Sequence, residues 1–253
     1  MAEVARRLRS RTGERAVVEV AYLEFLHPSL PEAAERLAAG QARALLVVPY
    51  LLGEGQHPRE AEALAQQVRR RFPGPVAFCP RGIGAHPLLA DLVAERVQEA
   101  LARAPQVIGP WGILLVKAGT RFPGDSLDWL RTLGEMVQQR LGAGLLTAPA
   151  QAGYRPPSLE AAAEGLLLHG VQGLVVVPCL FYPGKILFID IAPAVERLRA
   201  RWPAFPVLLA APMGVDDRLV EIVLERIPQM PAGTGIFQEE ASPVTILSGG
   251  GLG

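Results

Sequence analysis

An internal duplication is the feature of this sequence that most constrains its fold. When residues 28–55 are placed beside residues 157–184 without a gap, Pro-Ser-Leu, Ala-Ala-Glu and Val-Val-Pro recur at matching positions. Farther along, with a shift of one residue, GAHPLLADLVAERV at 84–97 matches GVDDRLVEIVLERI at 214–227. Matches in the same order over most of the chain predict two copies of one structural module.

Each copy alternates short apolar runs with longer amphipathic segments, a pattern typical of an α/β fold. Runs such as ALLVVPYLL and LVVVPCLF are apolar on both faces, which favours parallel strands covered by helices on both sides. The sequence therefore predicts two tandem, doubly wound parallel-sheet modules related by a pseudo-twofold axis. Strands are predicted at 17–23, 44–51, 76–79, 112–116, 144–148, 174–180 and 207–211, and helices at 29–39, 58–72, 86–102, 125–141, 158–168, 191–201 and 216–227.

The two copies predict a first module at 1–105, a second at 106–228 and a flexible Gly- and Pro-rich tail at 229–253. The second copy opens with a strand and a loop, GILLVKAGTR at 112–121, whose counterpart in the first copy falls before residue 1. A first strand is usually central in such a sheet, and its neighbours need partners. Either the chain begins downstream of that strand or another segment fills the gap; we favour the first.

Composition narrows the class of protein. A formal net charge of +0 and a pI near 6.9 predict neither nucleic acid nor a membrane surface as partner. There is no apolar stretch behind the N-terminal arginines and no long apolar window, so a soluble cytoplasmic protein is expected. Cys79 and Cys179 end apolar runs and are predicted to be buried free thiols.

His57 is the main candidate for chemistry. It follows the buried run at 44–52 and a Gly-containing loop, immediately before a predicted helix, so it should stand at the carboxyl edge of its sheet. A neutral imidazole there can bind cobalt or ferrous iron, or accept a proton. Glu54 and Glu60 flank it and can supply carboxylate oxygens or orient the ring. A solvent-exposed loop histidine remains the alternative interpretation.

These pieces together resemble the sirohydrochlorin chelatase family in its long, two-repeat form. The resemblance is carried by YLEFLHPSLPEA at 22–33, VVPYLL at 47–52, Gly-x-His at 55–57 and GIGAHPLL at 82–89, and it runs through both repeats. It implies a class II chelatase-like fold and a lyase that inserts a divalent metal, cobalt or ferrous iron, into sirohydrochlorin for cobalamin or siroheme biosynthesis. The metal is then a substrate, and no organic cofactor is expected.

The resemblance also implies which residues act. Such enzymes use one histidine after the first strand and a second in the Gly-x-His loop, which His57 matches. The first histidine has no counterpart in the first copy, because the equivalent loop would fall before residue 1. In the second copy, Ala118 and Ile186 stand at the positions of the two histidines. Catalysis is therefore expected from the N-terminal copy, with the site between the repeats and an optimum at neutral to mildly alkaline pH.

Three basic residues are candidate substrate contacts. Lys117 and Lys185, the only lysines in the chain, fall beside the degenerate histidine positions of the second copy. Sirohydrochlorin is rich in carboxylates, so the two lysines are predicted to hold its acidic groups across the cleft, unless they merely stand in solvent. His27, just after a predicted strand, is expected to border the same cleft.

Two other classes of protein stay open. A non-catalytic tetrapyrrole- or metal-binding protein descended from a chelatase is favoured by the absent first histidine. A periplasmic-type binding module is the third possibility, and it requires a signal peptide, which the sequence does not show. Since fused repeats supply internally the symmetry that a one-repeat protein obtains by dimerising, a monomer or weak homo-oligomer is expected.

Overall fold

The computed structural model describes residues 1–13, 16–24, 26–53, 56–104, 108–121, 126–142, 144–227 and 244–248. They form two compact units. Unit 1 contains Met1–Gly84 and the chain from Val215 to the last strand, whereas unit 2 contains Ala85–Gly214. No helix in these ranges is long and apolar enough to cross a membrane.

Unit 1 holds a sheet of four parallel strands in the order β1-β8-β2-β3. Strand β2 is buried along its whole length, which agrees with its unbroken apolar sequence. The elements of unit 1 are α1 Ala2–Thr12, β1 Val18–Tyr22, α2 Leu30–Ala39, β2 Leu45–Tyr50, α3 Gln56–Arg69, β3 Val76–Phe78, α8 Asp217–Arg226 and β8 Val244–Ser248.

Unit 2 repeats this plan with strands in the order β5-β4-β6-β7, again all parallel. Its elements are α4 Pro87–Leu101, β4 Trp111–Ala118, α5 Asp128–Leu141, β5 Leu145–Ala152, α6 Leu159–Leu168, β6 Gly173–Pro178, a π-helix Ile186–Ile191, α7 Ala192–Arg201 and β7 Val207–Leu209. The α/β fold with two parallel sheets is confirmed, as are the seven strands and seven helices expected from the sequence. The sequence did not predict α1, the π-helix or β8.

The two helices α2 and α6 begin as their sequences predict. Ser29 and Glu32 form a reciprocal capping box at the start of α2, and the Ser158 side chain accepts a hydrogen bond from the Ala161 amide at the start of α6. Both cysteines are free and buried, as expected, and burial raises the pKa of the Cys179 thiol to about 12.

Of the predicted flexible tail at 229–253, the structure describes only 244–248, and this segment is a strand; the rest of the tail lies outside the described residues. The segment at 244–248 forms β8, which lies between β1 and β2 and pairs in parallel with both, so that Ile246 stands beside Val20 and Val48. By the strand orders, β8 occupies in unit 1 the central place that β4 occupies in unit 2. The place between β1 and β2 is thus occupied by a distant segment of the same chain. No local pattern in the Gly-rich sequence around it signalled this pairing.

The units also differ from the sequence-predicted boundaries at 105 and 228, because the two repeats exchange their last helices. Helix α4 follows β3 of unit 1 along the chain but packs with α5 of unit 2, whereas α8 follows β7 but packs with α1 and β2 of unit 1. Arg226 of α8 is buried and its guanidinium donates to the carbonyl oxygens of Gly82, at 3.3 Å, and Ile83, at 3.1 Å. Helix α8 is thereby joined to the loop after β3.

Replacing Arg226 by methionine is expected to lower the free energy of unfolding by about 2 to 4 kcal/mol, because two carbonyl groups lose their donor. Urea denaturation followed by circular dichroism measures this. The matched control is Arg11→Met, which removes a half-exposed ion pair between α1 and Glu221 of α8 and should cost under about 1 kcal/mol. Equal costs for the two variants would contradict a special role for Arg226.

Candidate functional site

The site is built at the carboxyl edge of the unit 1 sheet, where the loops after β1 and β2 begin. Glu24 lies two residues beyond β1, in a loop closed by a hydrogen bond of 2.9 Å from the Tyr22 amide to the Pro28 carbonyl. Beyond β2, the Ile83 and Gly84 amides donate to the carbonyls of Leu51 and Leu52, which ties down the start of the second loop. Parallel strands end at one edge of their sheet, and the two loops therefore emerge together.

His57 lies in the first turn of α3, and Glu60 follows it by three residues on the same face of the helix. Its Nδ1 atom is 3.1 Å from Oε2 of Glu60. The side chains are 45% and 35% exposed, so both reach solvent. When Nδ1 carries the ring proton it donates to Glu60, and the lone pair of Nε2 is then available to a metal ion or a proton.

Glu24 completes a group of three side chains that can hold a metal ion. One ligand atom each from Glu24, His57 and Glu60 lies within 4.8 Å of the others, and all three side chains are partly buried. One imidazole nitrogen and two carboxylate oxygens suit a divalent ion of borderline hardness, such as ferrous iron or cobalt. Of the ligands expected from the sequence, His57 and Glu60 meet here, while Glu54 lies outside the described residues.

Glu24 was not predicted as a ligand from the sequence, although a usable signal existed. The residue sits in the segment at 22–33 that carries the family resemblance, directly after a predicted strand. Carboxyl ends of neighbouring parallel strands converge, so an acidic residue at that place is a candidate partner for His57. The two residues are more than thirty positions apart along the chain, so their spacing in the sequence does not indicate that they meet.

His27, expected to contact substrate, has a local partner. Its Nδ1 lies 2.8 Å from Oε2 of Glu32, the same oxygen that accepts hydrogen bonds from the amide and hydroxyl of Ser29. Contacts with His27 and Ser29 lower the pKa of the Glu32 carboxyl to about 2. The imidazole is 80% exposed, so it can contact a ligand as well as stabilise the start of α2.

Unit 2 carries none of the three ligands at the equivalent positions. The hydrogen bond from Tyr22 to Pro28 recurs as one from Gln151 to Pro157, which fixes the correspondence of the two loops. Along it, Glu24 corresponds to Gly153, His57 to Ile186 and Glu60 to Ile189. The candidate metal-binding group therefore lies in unit 1 and is not repeated at the equivalent positions of unit 2.

The two lysines of unit 2 have different environments. Lys117, near the end of β4, is only 8% exposed, and its ammonium donates to the Ala118 carbonyl at 3.1 Å. Lys185 precedes the π-helix and is exposed. Of the two lysines, only Lys185 presents its charge to solvent, as the predicted contact with acidic groups of the substrate requires.

Comparison with known proteins decides the family. Residues 1–100 and 112–230 match the family model described as CbiX. The chain belongs to the CbiX family. This confirms the family resemblance predicted from the sequence. Among relatives of this CbiX-family chain, the sirohydrochlorin cobaltochelatase of Sulfurisphaera tokodaii is 34% identical over 77 residues, which are 30% of this chain and 61% of that protein. The sirohydrochlorin ferrochelatase of Priestia megaterium is 30% identical over 94 residues, 37% of this chain and 34% of that protein.

Solved structures support the fold of the CbiX-family chain. SirB from Bacillus subtilis with Fe3+ superposes with a TM-score of 0.72 and 17% identity, covering 95% of this chain and 92% of that one. The sirohydrochlorin chelatase SirB from Bacillus subtilis subspecies spizizenii, in complex with cobalt, gives a TM-score of 0.65 and 18% identity over 90% of this chain and 88% of that one. At such identities the likeness shows the fold alone. The segments matched in the two chelatase relatives span 61% and 34% of their own lengths.

Proposed function

We propose that this chain inserts a divalent metal ion, cobalt or ferrous iron, into sirohydrochlorin. The observation that carries the proposal is the convergence of Glu24, His57 and Glu60 in a member of the CbiX family. It is supported by the names of the relatives, which are sirohydrochlorin cobaltochelatases and ferrochelatases. The metal ion is a substrate in this reaction, and the proposal includes no organic cofactor.

The chemistry follows from what insertion demands. The ion must shed water ligands, and the two pyrrole N–H groups must lose their protons as two metal–nitrogen bonds replace them. In the proposal, Glu24, His57 and Glu60 hold the arriving ion, and the imidazole of His57 accepts one of the two pyrrole protons as the ion moves to the macrocycle. The second proton passes to solvent water. Glu60, beside Nδ1 of His57, stabilises the imidazolium that this produces.

We also propose where the chain acts, what it binds and how it assembles. Cytoplasmic function is supported by two buried thiols, since free cysteines persist where the environment is reducing. A formal net charge of +0 supports small-molecule partners rather than nucleic acid, and we propose a monomer or weak homo-oligomer. His27 and Lys185, both exposed, are retained as proposed contacts for acidic groups of the substrate, whereas the burial of Lys117 weakens its part.

A non-catalytic carrier of tetrapyrrole or metal is the second candidate, and one observation favours it. The sequence that follows β8 is Gly249-Gly250-Gly251, so no histidine stands after the central strand of unit 1, where the family resemblance implies one. A carrier needs groups that bind the tetrapyrrole or the metal ion, and it does not need a histidine at that position.

Anaerobic absorbance spectra of sirohydrochlorin separate the two candidates. The purified chain is mixed with the pigment and with cobalt or ferrous ion, and the rate of spectral change is compared with the rate without protein. Faster formation of the metallated spectrum, with repeated turnover, supports the chelatase. A shifted spectrum of bound, metal-free pigment with no acceleration of insertion would overturn it in favour of the carrier.

A further inference from the structure

The loop after β5 in unit 2 presents an aromatic ring from a disfavoured backbone conformation. Gly153 and Tyr154 have positive φ angles of 70° and 58°, and the left-handed region is uncommon for a tyrosine. The Tyr154 side chain is nevertheless 67% exposed, so burial of the ring does not explain the conformation. Backbone of this kind is concentrated at ligand-binding sites.

Arg121 lies over that ring. Its guanidinium carbon is 4.8 Å from the centre of the Tyr154 ring, within the range of a cation–π contact. The chain after β4 is joined to the end of β5 by a hydrogen bond of 2.9 Å from the Gly119 amide to the Ala152 carbonyl. The approach requires glycine, because a Cβ at residue 119 would lie 2.1 Å from that carbonyl oxygen. The sequence therefore builds a close loop contact that brings an arginine onto an exposed aromatic ring.

The loop that carries Tyr154 in unit 2 corresponds to the loop that carries the candidate metal ligand Glu24 in unit 1, which indicates a role in ligand binding. Gly153 and Tyr154 follow β5 at the positions where unit 1 has Glu24 and its neighbour after β1. The π-helix occupies the place of the His57 turn, and it exposes Phe188 by 64% and Ile189 by 65%. π-Helices are rare in proteins, and those that occur are often found at functional sites. Where unit 1 carries metal ligands, unit 2 carries a cation and aromatic and apolar side chains.

We propose that Arg121 and Tyr154 form a binding site on unit 2 for the acidic, planar tetrapyrrole. This inference rests on the proposed function, whose substrate class it assigns to particular residues. A guanidinium offers paired N–H donors to a carboxylate, and its stacking on Tyr154 holds it in one orientation. The ring of Tyr154 offers its own surface to the conjugated system. Arg121 is exposed, unlike the buried Lys117, and is therefore the better-placed cation.

The test is the affinity for metal-free sirohydrochlorin, measured by titration of the pigment spectrum at low salt. We expect Arg121→Ala to raise the Kd about tenfold and to weaken its salt dependence, with partial rescue by Arg121→Lys. Tyr154→Gly should raise the Kd severalfold, and it suits the positive φ angle, so the loop keeps its conformation. Cobalt affinity in the absence of pigment should stay at the wild-type value in every variant, because the metal ligands belong to unit 1.

The matched control is Arg201→Ala, which removes a second arginine that lies over an aromatic ring in unit 2, 5.4 Å from the Trp202 ring centre at the end of α7. It should leave the pigment Kd unchanged. If wild-type protein inserts metal while Arg121→Ala and Tyr154→Gly keep the wild-type Kd, or if Arg201→Ala weakens binding equally, the inference is overturned and the proposed function stands. If wild-type protein binds pigment without inserting metal and Arg121→Ala still weakens binding, the inference stands and the chelatase proposal fails.

Discussion

Replacement of His57 by alanine is expected to slow metal insertion into sirohydrochlorin about a hundredfold or more, because in the proposed reaction this one group both holds the ion and accepts a proton. The same variant should bind cobalt at least about tenfold more weakly in a titration without pigment, since the nitrogen ligand is lost. Affinity for the metal-free pigment should change little. The measurements are the initial rate of the spectral change and isothermal titration with cobalt.

The control is His169→Ala, which removes an exposed imidazole at the end of α6 whose Nδ1 contacts the Gly165 carbonyl. It should leave both rate and cobalt affinity at wild-type values. The carboxylates are tested in parallel: Glu24→Gln and Glu60→Gln keep the size of the side chains but remove their charge, and each should weaken cobalt binding. An insertion rate for His57→Ala within about threefold of wild type would show that the metal enters without this histidine.

Substitution of Ile246 by proline is expected to destabilise unit 1 by about 3 kcal/mol, because proline removes a backbone N–H from a strand that is paired on both sides. Strand β8 is central, with partners on both sides, so proline there has no solvent-facing edge to occupy. Truncation after residue 243 should have a larger effect, because β1 and β2 both lose their neighbour. The metal-binding loops follow those two strands, so cobalt affinity should fall as well.

Hydrogen exchange followed by mass spectrometry checks this prediction segment by segment. Amides of β1 and β2 should lose protection in the truncated chain, while β4 and β6 of unit 2 serve as internal controls and keep theirs. Ile246→Ala retains the backbone N–H and should preserve protection in β1 and β2 better than proline does. Unchanged protection of β1 and β2 after truncation would contradict the central place of β8.

Several features of this protein follow from sequence alone because they depend on local pattern or on comparison of one repeat with the other. Apolar runs such as LLVVPY identify buried parallel strands, and the serines before α2 and α6 mark helix starts. The pairing of His57 with Glu60 is implied by their spacing in the first turn of a helix. The duplication also shows that the second copy has Ile186 at the position of His57.

The tertiary structure decided what depends on contacts between distant segments. Strand β8 completes the sheet of unit 1 from the opposite end of the chain, and α4 and α8 pack on each other's repeats; no local pattern encodes either partnership. Glu24 joins His57 only because parallel strands bring their carboxyl ends to one edge. Local preference is read from neighbouring residues, whereas strand partners and ligand sets are chosen by burial and hydrogen bonding over the whole fold.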